Sequence, residues 1–180
     1  FIAVRYGNVL GSNGSVVPKI IDQVKNGKDI TITNSEMTRF NITMDQAIDL
    51  IFNAINMGHG GEVFVPKLKA YRLDVLKDSI CEMMKKSSKI EKIPVRSGEK
   101  YHESLIGSEE IRNAYEIEGM YVILDKQMHD KTFEKWDNLK KCNISDEYSS
   151  DKVEQLTKEE LIDILQKENL YNWKKPMFLK

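Results

Sequence analysis

Hydrophobic positions in the first part of the chain follow two different periods. Residues 1–4 form a continuous apolar run, which is typical of a buried parallel strand. Across residues 16–25, apolar side chains recur every three to four positions, and this spacing predicts a helix that buries one side. Apolar and polar residues alternate over residues 29–33, which predicts a second strand. The buried side of the helix is expected to carry Val17, Ile20, Ile21 and Val24.

A second helix is predicted to begin after Thr43. Thr43 and Gln46 have the spacing of a capping box, in which each side chain accepts a hydrogen bond from a free backbone N–H of the other residue. Gly58 predicts the end of this helix, because glycine does not favour its continuation. The helical spacing suggests that its buried face carries Ala47, Ile48, Ile51, Phe52 and Ile55.

The remaining pattern predicts short strands interleaved with helices. Strands are expected at residues 62–65 and 90–95, and helices at residues 73–86 and 157–165. The last helix should begin with a second capping box formed by Thr157 and Glu160. The expected inward residues are Leu73, Leu76, Ile80, Met83 and Met84 in the first of these helices, and Leu161, Ile164 and Leu165 in the second.

Residues 114–124 should form a strand that is bent or paired with itself about Glu118 and Gly119. Periodicity fades across residues 125–143, which predicts a mobile or variable surface segment. The order of elements indicates an α/β fold with three parts, namely residues 1–33, 34–125 and 126–180.

Composition excludes some classes of protein. The 180 residues carry a formal net charge of −1, which argues against a nucleic-acid binder. No apolar run approaches the roughly 18 residues that a membrane span requires. Cys81 and Cys142 are far apart in sequence, so a reduced, cytoplasmic setting is the simpler interpretation. The three histidines, His59, His102 and His129, do not have the spacing of a metal site with each other or with either cysteine.

Polar side chains follow the opening apolar run. Arg5, Tyr6 and Asn8 stand at its carboxyl end, where open α/β sheets bind ligands. Gly7 lies among them and allows the backbone a close approach to a neighbour or a ligand. An ordinary loop between a strand and a helix explains these residues equally well.

Four stretches in one order carry a resemblance to a known family. They are Arg-Tyr-Gly-Asn-Val (5–9) with Gly-Ser-Val-Val-Pro (14–18), Met-Thr-Arg-Phe (37–40), Gly-Gly-Glu-Val-Phe-Val-Pro-Lys (60–67) and Arg-Ser-Gly-Glu-Lys-Tyr-His-Glu (96–103). Together they resemble the extended short-chain dehydrogenase/reductases that act on nucleotide sugars, in particular the inverting UDP-N-acetylglucosamine 4,6-dehydratases of capsule biosynthesis. The similarity covers residues 1–125 and Glu-Tyr-Ser-Ser at 147–150. Each stretch alone is weak, but the ordered set is specific.

The resemblance implies roles for individual residues. Arg39 and Arg96 would grip a pyrophosphate, and Glu99 would accept hydrogen bonds from ribose hydroxyls. Asn8 would bind the nucleotide sugar near its phosphates, and Tyr6 and Gly7 would lie against the nicotinamide of the cofactor.

Further residues have less distinctive expected roles. Val17 and Pro18 would line a slot for uracil, although core packing explains them nearly as well. Thr38 would assist with the sugar or phosphate. His102 and Glu103 are expected in a helix, in structural roles. Ser97 replaces the family's more common proline and removes no contact group.

The family's cofactor and catalytic motifs are not found where the resemblance would place them. No glycine-rich dinucleotide turn is present, and the two Tyr-x-x-x-Lys spacings, at Tyr148–Lys152 and Tyr171–Lys175, follow the opening strand, whereas the catalytic pair of the family lies on a helix just before that strand. The resemblance therefore implies the carboxyl-terminal part of an NAD(P)-binding Rossmann fold plus a small mixed α/β substrate-binding domain. The whole enzyme would hold NADP mainly through an amino-terminal half, form a homo-oligomer, and convert UDP-N-acetylglucosamine to a UDP 4-keto-6-deoxy sugar. A UDP-sugar 4-epimerase fragment and a non-catalytic nucleotide-sugar-binding fragment are the alternatives.

Overall fold

The computed structural model describes residues 1–124, 136 and 138–173. The helices within these residues are α1 (Val16–Lys25), α2 (Met44–Met57), α3 (Leu73–Met83), α4 (Ser108–Ile111) and α5 (Lys158–Lys167), followed by a 3₁₀ turn at Leu170–Asn172. The strands are β1 (Ala3–Val4), β2 (Asn8–Val9), β3 (Ile30–Ile32), β4 (Thr38–Ile42), β5 (Val63–Pro66), β6 (Ala70–Arg72), β7 (Ile90–Lys92), β8 (Ser104–Ile106), β9 (Ala114–Ile117), β10 (Met120–Ile123), β11 (Lys140–Lys141) and β12 (Tyr148–Ser149). This mixed α/β architecture confirms the predicted fold class.

The described strands form four small sheets. The largest has the order β1-β5-β10-β9-β11, with β1 parallel to β5 and the other pairs antiparallel. A second sheet has the order β2-β4-β6, in which β2 runs parallel to β4. Two further pairs are β3-β7, which is parallel, and β8-β12, which is antiparallel. The opening segment therefore contributes to two sheets, because the chain leaves β1 after Val4 and enters β2 at Asn8.

The parallel direction predicted for the strand at residues 1–4 is confirmed, and its first apolar side chains are exposed in the described chain. Ala3 pairs with Val63 in parallel, as expected. However, β1 is the last strand at its edge of the sheet, so one side has no neighbouring strand among the described residues. Phe1 and Ile2 are consequently exposed.

The main core lies between α1, α3 and α5. The predicted inward faces of these helices are confirmed, since Ile20, Ile21, Leu76, Ile80 and Leu161 are fully buried in one cluster. Helix α5 begins with the predicted capping box, in which Glu160 N–H donates to Thr157 Oγ1 at 3.1 Å. This cluster supports the end of α1 nearest the candidate site.

The predicted buried face of α2 requires a correction. The capping box is confirmed, and Gly58 ends the helix. However, the buried residues are Ala47, Leu50 and Ala54, whereas Ile48, Ile51, Phe52 and Ile55 are exposed. Both sets have helical spacing. The set containing two alanines packs against β1 and β5 because small side chains allow a helix to lie close to a sheet.

Three other segments also bear on the predictions. The predicted turn at Glu118 and Gly119 is confirmed, since β9 and β10 pair as a hairpin around it. His102 and Glu103 do not lie in a helix, because Glu103 directly precedes strand β8. In the segment 125–143, residues 125–135 and 137 lie outside the described residues, whereas Lys140–Lys141 form an ordered strand against β9. Within the described chain, every helix is too short or too polar to cross a membrane.

Candidate functional site

A row of alternating charges lies beside strand β4. Arg39 stands on this strand, whose neighbours β2 and β6 fix its position through Asn8↔Asn41 and Arg39↔Tyr71 pairing. Two acidic side chains of the motif at residues 96–103 lie close to Arg39. Its Nη2 lies 3.9 Å from Glu99 Oε1, and its Nε lies 3.7 Å from Glu103 Oε1. Two of the motifs quoted from the sequence are therefore neighbours in space.

Arg39 is largely committed to partners within the chain. Its Nη1 donates to the carbonyl oxygens of Thr38 at 2.7 Å and Tyr101 at 3.2 Å. Only 12 % of its side chain is exposed. Nη2 has no carbonyl partner among the described residues and faces Met37 Sδ at 3.7 Å. Nη2 is therefore the atom of Arg39 through which an anion could be bound.

Glu99 is held as an ionised acceptor. Arg96 N–H donates to its Oε2 at 3.1 Å, and Thr33 Oγ1 donates to its Oε1 at 2.9 Å. Burial alone would raise the pKa of Glu99, but these hydrogen bonds and the charges of Arg39 and Arg96 lower it below its usual value. The tight turn that brings Arg96 and Glu99 together passes through Gly98 at a φ of 80°, which favours glycine. An ionised carboxylate can accept hydrogen bonds from ligand hydroxyls.

Arg96 differs from Arg39 in its surroundings. Its guanidinium is exposed and makes no hydrogen bond or ion pair with any described residue. Together with Lys19, Val16 and Glu99 it lines a cavity of about 130 Å³. Burial, followed by the positive charge of Arg96, lowers the pKa of Lys19. Two cations and one anion thus face the same small cavity, where a phosphate group would relieve the repulsion between the cations.

The two residues expected to line a uracil slot occupy a different environment. Val17 is 1 % exposed and belongs to the main core, and Pro18 is also buried. The preceding residue, Val16, is the one that lines the cavity. The structure therefore assigns Val17 and Pro18 to core packing, and a ligand-lining role for them stays a prediction.

A second cavity lies beside the first loop. Tyr6, Gly7 and Asn8 line it together with Lys100 and Glu103, and its volume is about 330 Å³. With the Asn8 amide oriented to satisfy its neighbours, its nitrogen donates to Glu103 Oε2 at 2.8 Å. The close approach of the backbone explains Gly7, because a Cβ there would lie 2.4 Å from Phe40 Cβ. The predicted residues Tyr6, Gly7 and Asn8 therefore do share one cavity.

Two polar residues singled out in the sequence are engaged elsewhere. Arg5 forms a bidentate ion pair with Glu110, at 2.7 and 2.9 Å. It is not among the described residues that line the larger cavity. Thr38 is buried, with its hydroxyl 2.8 Å from His102 Nδ1 and 2.6 Å from Ser150 Oγ. Thr38 consequently stabilises the floor of the site, and a direct contact with sugar or phosphate stays a prediction.

Three residues at or beside the two cavities lie outside the predicted set, namely Lys19, Glu103 and Ser150. Lys19 gave no signal beyond its place in a helix, since its approach to Arg96 depends on how α1 packs. Glu103 was assigned to a helix, although its position at the end of a matching motif was a usable signal. Ser150 belongs to the Glu-Tyr-Ser-Ser stretch, whose similarity is explained by its hydrogen bonds to Thr38 and Glu103.

The groups lining the larger cavity match some parts of a dinucleotide cofactor better than others. Tyr6 supplies a ring there, which suits one face of an aromatic ligand. Among the described residues, Lys100 is the only cation lining that cavity, and no glycine-rich turn for a dinucleotide diphosphate occurs in the sequence. The lining therefore suits an aromatic ring such as a nicotinamide and not a diphosphate, and the contact of Tyr6 and Gly7 with a cofactor stays a prediction.

Comparisons with known proteins point to one group. A family model described as polysaccharide biosynthesis protein matches residues 1–125. A protein named UDP-glucose 4-epimerase from Rickettsia bellii is 36 % identical over 167 residues, which are 92 % of this chain and 49 % of the relative. A protein of the same name from Rickettsia massiliae is 36 % identical over 163 residues, which are 89 % of this chain and 48 % of the relative. The chain spans about half the length of the curated relatives it matches.

Two solved structures with similar folds cover the chain to a similar extent. The structure of Pen from Bacillus thuringiensis superposes with a TM-score of 0.80 at 33 % identity, covering 93 % of this chain and 49 % of that one. A dTDP-glucose 4,6-dehydratase from Bacillus anthracis, solved in complex with NAD, gives a TM-score of 0.50 at 12 % identity over 94 % and 46 % of the two chains. The second similarity concerns the fold alone.

Proposed function

Because the chain belongs to the polysaccharide biosynthesis protein family, we propose that it forms the substrate-binding part of an enzyme that modifies a UDP-sugar. The observation that carries this proposal is the cavity at Arg96, in which a guanidinium without a partner among the described residues, Lys19 and the ionised Glu99 face one another. Such a set of groups suits a diphosphate next to a ribose.

Each group has a distinct task in this arrangement. Arg96 presents free N–H donors to phosphate oxygens, and the ammonium group of Lys19 adds a second positive charge. Glu99 accepts hydrogen bonds from the ribose hydroxyls. Arg39 holds Glu99 and Glu103 in place and offers Nη2 to a phosphate oxygen. The hexose would extend along β4 toward Asn8 and the larger cavity.

We propose 4,6-dehydration of UDP-N-acetylglucosamine as the reaction. The four ordered motifs support it, together with the cavity that joins Tyr6, Gly7 and Asn8. A nicotinamide cofactor, proposed to be NADP, would supply the hydride acceptor and donor when bound. Oxidation of sugar carbon 4 would give a ketone, water would leave across carbons 5 and 6, and the hydride would return to carbon 6 as a proton is added at carbon 5. The residues of this chain would bind and orient the sugar, and the acid–base groups would come from residues outside positions 1–180. The product would be a UDP 4-keto-6-deoxy sugar for surface glycans.

Epimerisation at carbon 4 is the second candidate. The names of the Rickettsia relatives, at 36 % identity, favour it. Both reactions begin by oxidising carbon 4 and require the same diphosphate and ribose contacts. The cavity at Arg96 is therefore compatible with either, and the product decides between them.

The test uses the complete product of the coding sequence that contains residues 1–180, incubated with UDP-N-acetylglucosamine and, separately, with UDP-glucose. Mass spectrometry should show loss of the mass of one water if dehydration occurs. An unchanged mass with inverted carbon 4 in the NMR spectrum would instead establish epimerisation. Binding of UDP without turnover of either sugar would favour a non-catalytic binding protein.

A binding measurement tests the site itself. Arg96→Ala should weaken UDP binding by about 1.5–3 kcal/mol in titration calorimetry, because it removes a charge-assisted hydrogen bond. Arg112→Ala is the matched control, since Arg112 is exposed and paired only with the exposed Glu109 among the described residues. Equal affinities of the two variants would contradict the assignment of this cavity.

A further inference from the structure

Glu103 lies where three sequence-distant segments meet. Its backbone is fixed on both sides by Ser150, because Glu103 N–H donates to Ser150 Oγ and Ser150 N–H donates to the Glu103 carbonyl, each at 2.8 Å. Ser150 is itself fully buried and bonded to Thr38. The position of the Glu103 side chain is therefore set by the fold and not by a flexible loop.

The carboxylate of Glu103 receives donors from three directions. Phe40 N–H donates to Oε2 at 3.4 Å, and Arg39 Nε lies 3.7 Å from Oε1. The Asn8 amide nitrogen donates to Oε2 at 2.8 Å. Glu103 also lines the larger cavity beside Asn8 and Tyr6. An ionised carboxylate accepts at both oxygens, whereas an amide in the same place would turn its own donors toward at least one of these groups.

We propose that Glu103 is a positioning residue of the nucleotide-sugar site, which fixes the orientation of the Asn8 amide and of the Arg39 guanidinium through its carboxylate. This inference rests on the proposed function and deepens it. Asn8 stands at the mouth of the larger cavity, and Arg39 connects Glu103 to the ribose acceptor Glu99. One carboxylate thus couples the sugar end of the site to its nucleotide end.

If Glu103 is a positioning residue, removing its charge should change the affinity for the ligand more than it changes the stability of the fold. Burial is the largest influence on Glu103 and raises the pKa of its carboxyl above the usual value, against the opposing effects of Arg39 and the Phe40 N–H. When the folded-state pKa of an acid is raised, its ionised form destabilises the fold above that pKa, and this cost disappears as the pH falls. Neutralising Glu103 removes this cost, which opposes the loss of its hydrogen bonds, so at neutral pH the affinity of the site should fall by more than the stability of the fold.

The experiment compares variants of the complete coding-sequence product. Glu103→Gln should lower the affinity for UDP-N-acetylglucosamine about ten-fold in titration calorimetry, with a melting temperature close to that of the wild-type protein. Glu103→Asp, which keeps the charge, should restore part of the affinity. Glu109→Gln is the control, because Glu109 is 86 % exposed. The affinity of the wild-type protein should also fall as the pH drops through the raised pKa of Glu103, and Glu103→Gln should lack this pH dependence.

The outcomes separate this inference from the function on which it rests. If the wild-type protein binds neither UDP nor UDP-N-acetylglucosamine, both the proposed function and the role of Glu103 are overturned. If it binds them and Glu103→Gln binds equally well with the same pH profile, only the positioning role is overturned. A melting temperature that falls in step with the affinity would assign Glu103 a purely structural role, which also contradicts the proposal.

Discussion

Helices α1 and α2 have similar sequence patterns and different surroundings. Both carry apolar residues at helical spacing, and both were predicted to bury them. In α1, Ile20, Ile21 and Val24 are 0 % exposed, whereas in α2, Phe52 and Ile55 are 59 % and 63 % exposed. Periodicity therefore identifies the apolar side of a helix, but the presence of a covering element depends on the rest of the fold.

The difference follows from the neighbours of each helix. Helix α1 packs against α3 and β3, and the core that they form also includes α5. Helix α2 contacts β1 and β5 through its small residues, and no described element lies over its large ones. The most fully packed helix is thus also the one that presents Val16 and Lys19 to the candidate site.

The largest expected loss of stability comes from creating a cavity in the core beneath α1. Ile20→Ala should lower the free energy of unfolding of the chain by about 2–5 kcal/mol, because Ile20 is fully buried in the main core. Ile20→Val is the graded control and should cost about 0.5–1.5 kcal/mol. Urea denaturation followed by circular dichroism measures both. Similar small losses for the two variants would mean that this core is less tightly packed than described.

At the helix N-termini, removing the capping side chain should destabilise α2 more than α1, the reverse of the expectation for their apolar faces. Thr43→Ala should destabilise the chain by about 1 kcal/mol, because Thr43 accepts from Gln46 N–H in a complete capping box. Ser15→Ala at the start of α1 should cost almost nothing, since Ser15 Oγ is buried and has no hydrogen-bond partner among the residues that the structure describes. Denaturation midpoints of the two variants provide the comparison, and equal losses would remove the distinction between the caps.

The smallest effect on stability is expected on the exposed face of α2. Ile55→Ala should change the free energy of unfolding by no more than about 0.5 kcal/mol, because its side chain contributes little buried area. Light scattering of the same variant should show less self-association of the chain, since exposed apolar surface promotes it. A loss comparable to that of Ile20→Ala would show that α2 is covered in solution.

The arginines also show how far sequence reasoning reaches. Both Arg39 and Arg96 were predicted to grip a pyrophosphate from their motifs alone. The structure separates them, because Arg39 is surrounded by Glu99, Glu103 and two carbonyl groups, whereas Arg96 remains unpaired among the described residues. Sequence predicted the region of the site, and the environment of each guanidinium required the assembled fold.

Features that depend on nearby residues were determined by the sequence itself. The bounds of α1 and the capping boxes at Thr43 and Thr157 agree with prediction because their hydrogen bonds join residues three or four positions apart. The turn at Gly119 agrees for the same reason.

Other features were decided only by the tertiary structure. They include the burial of the smaller face of α2, the division of the opening segment between two sheets, and the place of Glu103. Phe40 and Glu103, for example, are 63 positions apart in sequence and meet only when β4 and β8 are assembled. Burial and ion pairing are properties of such distant contacts, and these contacts depend on how the elements pack and not on the local pattern of side chains.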